Sequence, residues 1–294
     1  MSHTTRFREL LSGQAFIAPG CYDAFTALLI EQAGFGCAYV SGASIAFTRL
    51  GRPDIGLTTL TEVAETVGNI RDRVSLPLIV DGDNGFGNAL NVQRTVRLLE
   101  KMGASAIQLE DQTLPKRCGH LDGKTLISTA EMLGKLRAAQ DARADPATAI
   151  VARTDAIAVD GFEAGLERAH RYVEAGADVL FVEALRTPEQ MARVGRELGG
   201  RVALLANMVE GGKTPLLSIG ELGQLGFRLA IFPGAMVRVV GFAASQYLAT
   251  LKSAGTTSGM LDRMFDFARL NATVGTDAML QAGEQYAAKR MTKP

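Results

Sequence analysis

Between Glu110 and His120 the chain reads Glu-Asp-Gln-Thr-Leu-Pro-Lys-Arg-Cys-Gly-His, the densest collection of reactive groups in the sequence. An apolar run ends in two carboxylates, and a basic segment then carries a thiol and an imidazole. Cations beside a thiol lower its pKa, so Cys118, flanked by Lys116, Arg117 and His120, is suited to exchange a proton near neutral pH. A second collection is Asp81-Gly-Asp-Asn-Gly-Phe-Gly-Asn88. Carboxylates at i and i+2 share a face if the strand runs through them, and with Glu110 they make a hard oxygen cluster suited to Mg2+ or Mn2+. The bland alternative is an Asx-rich turn, but three buried carboxylates without a cation would be costly. Arg153 closes the run Ala149-Ile-Val-Ala-Arg. Its guanidinium could grip a substrate carboxylate or phosphate, or neutralise Glu183 or Asp155 in a structural pair.

The elements that must hold these groups follow from the apolar runs. Eight short runs read as strands: Phe16 to Pro19, Cys37 to Ser41, Leu76 to Asp81, Ala106 to Glu110, Ala149 to Arg153, Val179 to Glu183, Val202 to Asn207 and Leu229 to Pro233. Helical periodicity fills 24–33, 59–73, 88–102, 129–142, 161–175, 188–199, 218–225 and 235–253. Gly34, Gly103, Gly176 and Gly226 stand where a glycine ends a helix and feeds the next strand. Ser128-Thr-Ala-Glu131 reads as a capping box, and Pro188 suits a first helical turn. Strict strand-then-helix alternation predicts an α/β chain folded as a (β/α)8 barrel of TIM type. An open doubly wound sheet is the competitor, and no Gly-rich nucleotide fingerprint follows the first strand to support it. In a barrel, catalytic groups sit at the carboxyl ends of strands. Those ends read Ser41-Gly42, Asp81 with Asp83, Glu110, Arg153 with Asp155, Glu183, and Asn207 with Glu210. Strand ends are wetter than strand middles in any barrel, yet four acidic exits converging with an arginine and an asparagine exceed that tendency.

The expected organisation is a catalytic barrel over 1–254 and a helical extension over 255–294, whose Met264, Phe265, Phe267 and Leu270 need a surface to cover, such as a neighbouring subunit. Hydrophobic residues make up 47% of the 294, which is ample for a core. Lys plus Arg and Asp plus Glu number 31 each, so nothing supports a nucleic-acid or anionic-membrane surface. No signal-like segment or membrane-length apolar run is evident, and three widely spaced cysteines argue against a disulfide framework. A soluble, cytoplasmic protein is expected. Cys21 and Cys37 are read as core. With His3 and His170 lacking ligand spacing, a zinc site is disfavoured.

These motifs resemble those of the isocitrate lyase and phosphoenolpyruvate mutase superfamily over nearly the whole chain. Val80 to Asn88 looks like its metal segment, Leu109-Glu-Asp-Gln112 its second acidic strand end, and Lys116-Arg-Cys-Gly-His120 the signature of its carbon–carbon lyases. Ile150 to Asp155, Phe181-Val-Glu183-Ala and Asn207-Met-Val-Glu-Gly-Gly fall where it places substrate-binding groups. Asn84, Gly82 and the segment after Asn207 depart from many relatives, and the last is more like dimethylmalate lyases. The resemblance implies Mg2+ held directly by Asp83, with Asp81 and Glu110 acting partly through water and Asp54 outside them. It implies substrate contacts from Tyr39, Ser41, Gly42, Ala43, Gly119, Arg153, Glu183 and Asn207. The implied reaction cleaves a substituted 2-hydroxy acid of the 2-methylisocitrate or 2,3-dimethylmalate type. Cys118 protonates the departing enolate, with His120 and Lys116 tuning the thiol and the loop 112–124 closing as a lid. Phosphonomutase-like C–P chemistry, oxaloacetate hydrolysis or decarboxylation, and a non-catalytic oxo-acid binder are the alternatives. The resemblance also implies a homotetramer in which the C-terminal extension is swapped between subunits.

Overall fold

Apolar residues without alternation form strands buried on both faces, as a parallel sheet wrapped by helices requires. Eight such strands appear: β1 (Phe16–Cys21), β2 (Ala38–Val40), β3 (Leu78–Asp81), β4 (Ala106–Glu110), β5 (Ala149–Thr154), β6 (Val179–Val182), β7 (Ala203–Asn207) and β8 (Leu229–Phe232). All are parallel, they pair in chain order, and β1 closes on β8. The barrel expected from the sequence is the fold. The computed structural model describes residues 1–119 and 121–286.

Helices follow in sequence: α1 (His3–Ser12), α2 (Ala24–Gln32), α3 (Gly42–Ile45), α4 (Leu60–Arg73), α5 (Ala89–Lys101), α6 (Thr129–Ala142), α7 (Ala156–Asp160), α8 (Phe162–Glu174), α9 (Pro188–Leu198), α10 (Ile219–Gln224), α11 (Ala235–Ala254), α12 (Phe267–Val274) and α13 (Thr276–Glu284). Gly34, Gly103, Gly176 and Gly226 all take positive φ at helix ends, where a residue with a Cβ would be strained. Ser128 caps α6 by accepting from the Glu131 amide, and Pro188 opens α9. Before the C-terminal helices α12 and α13, three helices depart from strict alternation. α1 precedes the barrel, α3 runs into a π-turn at Ala46–Leu50, and α7 follows β5. α3 and α7 are too short for periodicity to register.

Alternation along each strand divides the core in two. Outward residues such as Val40, Val80, Ile107, Leu180 and Leu204 pack with helix residues Val67, Val96, Leu136, Ala169 and Val194. Inward residues Tyr39, Ile79, Val151, Phe181, Leu205 and Ile231 fill the barrel together with Phe7 of α1. Phe7 meets Phe16, the first residue of β1, edge to face at 6.5 Å, so α1 plugs the amino-terminal mouth. The carboxyl mouth is left for polar side chains.

The chain divides into two compact units, Met1–Arg238 and the residues from Val239 onward, so the division falls inside α11. In the second unit Phe242, Leu248, Phe267, Met279 and Tyr286 are exposed.

One buried side chain ties three elements behind the mouth. Asp111 follows Glu110, so alternation turns it away from the barrel interior. It accepts from Thr154 Oγ1 (2.7 Å), the Asp155 amide (2.9 Å), Tyr172 OH (2.8 Å) and Arg168 Nη1 (3.3 Å). Replacing Asp111 with Ala strands these donors, including a half-buried guanidinium, at a cost of about 3–5 kcal/mol. A clearly lowered urea unfolding midpoint is expected, and a midpoint unchanged from wild type would show that the hub is dispensable.

Candidate active site

A cavity opens at the carboxyl mouth of the barrel. It holds about 170 Å³, below the roughly 300–1,000 Å³ of drug-sized sites, which suits a small acid and not a nucleotide. Tyr39, Ser41, Ala43, Asp54, Asp81, Glu110, Lys116, Cys118, Gly119, Arg153, Glu183 and Asn207 line it. Gly42 sits behind this wall, where a Cβ would come 3.0 Å from Asp81 Oδ2. Asp83 stands one layer back, buried, against Lys116. His120 lies outside the described residues.

Strand register assembles the floor. Glu110 of β4 pairs directly with Arg153 of β5, and Arg153 pairs with Phe181 of β6, whose ring lies 5.0 Å under the guanidinium. Arg153 donates to Asp155 through Nε (2.9 Å) and Nη2 (3.1 Å). Looser ion pairs run to Glu110 (3.3 Å) and Glu183 (3.6 Å). The two alternatives posed for Arg153, structural pairing and a substrate grip, are therefore compatible: Asp155 fixes the fork, and the longer contacts are those an incoming carboxylate would replace. Burial works against the charge, but Asp155, Glu110 and Glu183 hold the guanidinium well above its ordinary pKa. Glu183 is placed in turn by the Ala184 amide (2.8 Å) and by Asn207 Nδ2 (2.9 Å). Glu210, another acidic exit, pairs with Arg238 in a half-exposed position and takes no part in this cluster.

The expected strand geometry of Asp81 and Asp83 is corrected by the structure. β3 stops at Asp81, and Asp83 adopts φ 47° in a turn. The turn forms because the Gly82 amide reaches Gln108 O (2.9 Å), the Asp83 amide reaches Asp81 Oδ1 (3.2 Å) and the Glu110 amide reaches Asp83 O (2.9 Å). The carboxylates therefore gather through the turn, not through strand periodicity. Lys116 Nζ lies 2.5 Å from Asp54 Oδ1 and 2.6 Å from Asp83 Oδ1. Burial, helped by Asp81 and Asp54 and opposed by Lys116, pushes Asp83 up to about 7. Burial likewise raises Glu110 well above the usual carboxylate range. Despite its own burial, Lys116 is held well above its ordinary value by Asp83, Asp54 and Asp81.

These donors fit a hard divalent cation. Asp83 Oδ1 and Glu110 Oε1 are buried acceptors with no aligned hydrogen-bond donor. Among the described residues no three His, Cys, Asp or Glu side chains form a protein-only cage. Mg2+ keeps several waters and takes one or two carboxylates, so it needs no such cage.

Residues the sequence did not reveal complete the site. Tyr39 OH donates to Gln108 Oε1 (2.8 Å), and Gln108 Nε2 donates to Asp81 Oδ1 (3.1 Å). Gln108 stands two residues before Glu110, so inward alternation on β4 was the signal that could have found it. Phe47, Val209, Ile231 and Pro233 add apolar wall. Lys124, buried on Asp155, had no pattern to mark it.

Cys118 is brought in by the loop after β4. Its amide donates to Asp54 O (3.1 Å), and the thiol-bearing residue lines the cavity. Cys21 and Cys37, by contrast, are fully buried, and burial pushes the Cys21 thiol up to about 12. Gly119 then lies on the floor: a Cβ there would sit 2.5 Å from Arg153 Nη2 and 2.8 Å from Glu183 Oε2. A methyl forced into such a contact costs about 1–3 kcal/mol. Gly119→Ala should therefore raise the open fraction of the loop roughly 5–100-fold, read as faster tryptic cleavage after Arg117 or Lys124. An unchanged cleavage rate would show that the tip need not rest on Arg153.

Known proteins place this geometry. Residues 7–252 match the family model described as phosphoenolpyruvate phosphomutase. The chain is 43% identical to 2,3-dimethylmalate lyase of Eubacterium barkeri over 99% of its own length and 100% of the relative's. It is 46% identical to 2-methylisocitrate lyase of Aeropyrum pernix over 88% and 82% of the two chains. Oxaloacetate acetylhydrolase, solved with the inhibitor 3,3-difluorooxalacetate, superposes with a TM-score of 0.92 at 32% identity over 99% of each chain. The chain thus belongs to the phosphoenolpyruvate phosphomutase family, within the isocitrate lyase and phosphoenolpyruvate mutase superfamily whose motifs it carries.

Proposed function

We propose that the protein is a Mg2+-dependent carbon–carbon lyase that cleaves a substituted malate of the 2,3-dimethylmalate or 2-methylisocitrate type to a 2-oxo acid and a second carboxylate. The observation that carries this reading is the placement of a thiol, on a loop seated over Arg153 and Glu183, across a small cavity from a carboxylate cluster. The identities with two lyases support it. Mg2+ would rest on Asp83 with Asp81 and Glu110 nearby, and when bound it supplies positive charge to stabilise developing negative charge on the 2-oxygen.

The protein's own residues do the remaining work. Arg153 orients one substrate carboxylate with its fork already fixed by Asp155. As the bond between C2 and C3 breaks, the 2-hydroxyl passes its proton to a carboxylate of the mouth cluster and C2 becomes the carbonyl of the 2-oxo acid, while the electron pair left on C3 takes the proton of the Cys118 thiol. Return of the proton from the carboxylate to the thiolate resets the site. Lys116 and the loop exclude water from the forming carbanion. The apolar wall of Val209, Ile231 and Pro233 suits the methyl groups of a substituted malate better than a second anionic branch. A cytoplasmic setting is part of this reading, the three cysteines standing outside any disulfide, and no helix among the described residues is long and apolar enough to cross a membrane. The exposed apolar residues of the second unit are covered by another copy of the chain in a homotetramer, with the extension exchanged between subunits. The 255–294 extension is the part that carries this assembly.

A second reading is hydrolysis of oxaloacetate, favoured by the closeness of the acetylhydrolase fold. A panel of 2,3-dimethylmalate, 2-methylisocitrate, oxaloacetate and phosphonopyruvate, run with Mg2+ and with chelator, separates the readings. Cleavage of a substituted malate that stops with chelator is expected. Oxalate and acetate as the sole products from the panel would replace the lyase by the hydrolase, and phosphorus-NMR conversion of phosphonopyruvate would replace it by C–P chemistry. Cys118→Ser should lower turnover by about 10²–10⁴-fold, the usual range for a general acid, with oxalate affinity nearly unchanged. Undiminished turnover would remove the thiol from the mechanism. Sedimentation should give about four times the 31.2 kDa chain mass, and a monomer would refute the assembly.

A further inference from the structure

The loop that carries Cys118 is fastened to the barrel on two sides, and one fastening is unassigned by the mechanism above. Its legs zip together through the Thr113 amide to Thr125 O and the Ile127 amide to Asp111 O, both at 2.9 Å. On one side of the tip, Lys116 reaches Asp54 and Asp83. On the other, the Lys124 ammonium, with a side chain only 1% exposed, sits 2.8 Å from Asp155 Oδ1 and also donates to the carbonyl of Gly119. Asp155 is the residue that fixes the Arg153 fork. Burial works to raise the Asp155 pKa, but Arg153 and Lys124 hold it below the ordinary value.

A buried ammonium is costly unless closely paired, and Lys124 is not among the residues that line the cavity. Its place is behind the cavity wall. Its two acceptors are the peptide next to the thiol and the carboxylate behind the substrate arginine. A compact ammonium with donors in three directions can bridge acceptors in this way, whereas a planar guanidinium has a fixed fork.

We propose that Lys124 is a positioning residue, a latch that joins the Gly119 carbonyl to Asp155 so that the Cys118 loop seats only against a correctly oriented Arg153. Its consequence for turnover rests on the lyase reading with Cys118 as proton donor; its consequence for loop seating does not.

The test uses the full-length protein with Mg2+ and saturating oxalate. Alkylation of Cys118 by N-ethylmaleimide is followed by peptide mass spectrometry, with Cys21 and Cys37 fully buried and out of reach. Lys124→Met should accelerate alkylation and lower kcat by about 10–100-fold each, the scale of a lost charged hydrogen bond, while oxalate affinity and KM change less than about threefold. Lys124→Arg, which keeps the charge, should recover part of both losses. If Lys124→Met fails to fold, Lys124→Gln serves, because its amide can still reach one acceptor; intermediate alkylation is expected. Unchanged alkylation in a folded variant would overturn the latch, as would a fall in oxalate affinity matching the fall in kcat/KM. Should no variant cleave any 2-hydroxy acid while the alkylation difference persists, the lyase reading fails and the latch stands.

Discussion

The arrangement at the barrel mouth depends on one buried guanidinium. Arg153 is carried inward by β5 and is only 7% exposed, and a buried charge is tolerated only when paired and hydrogen-bonded. The pairing comes from backbone register: β4 brings Glu110 alongside, β6 brings Glu183, and Asp155 follows two residues on. Register is fixed because both faces of every strand are packed, and a slip of one residue would turn the whole strand inside out. Packing in the apolar layers thus sets the position of a charge several layers above them.

That cluster does not balance. Among the described residues, six buried carboxylates, Asp54, Asp81, Asp83, Glu110, Asp155 and Glu183, share the mouth with three buried cations, Lys116, Lys124 and Arg153. Burial first, and neighbouring carboxylates after it, raise the pKa values of Asp83 and Glu110, which also hold buried acceptors without aligned donors, as does Asn207. Asp155, with two cations against it, is displaced the other way. The same fold therefore keeps one carboxylate firmly ionised as an anchor and holds others in a state that a divalent cation or a proton can relieve.

How much of this could be read from sequence follows from what each feature needs. The strands were legible to within two residues at either end because a parallel barrel demands unbroken apolar runs, and glycines with positive φ marked the helix ends. Strand exits located Glu110, Arg153, Glu183 and Asn207 because a barrel fixes what faces its mouth. The placement of Asp83 was not legible, since two hydrogen bonds to the neighbouring strand divert the chain out of β3 before it can alternate. Gln108, Lys124 and the hub role of Asp111 depend on contacts between segments distant in sequence, and each looks locally like an ordinary polar residue. α1 escaped because its main work is done by one aromatic, Phe7, with little periodic pattern around it.

Among the described residues, two of the three buried cations at the mouth, Lys116 and Lys124, arrive on the loop and Arg153 belongs to the floor, while Arg117 and Arg238 line the cavity from exposed positions. Lifting the loop would leave the six carboxylates with Arg153 as their one buried cationic partner among those named, and water would then have to solvate them. Seating the loop therefore gains attraction in a dry, weakly screened setting at the same moment that it delivers the thiol. Gly119 lets the backbone approach close enough for this, since any side chain there would collide with Arg153 and Glu183. In the proposed mechanism, proton delivery by Cys118 and completion of the charge cluster would thus be one motion. An acid fixed permanently on a strand would lack this coupling, because it would face water whenever the cavity opened to substrate.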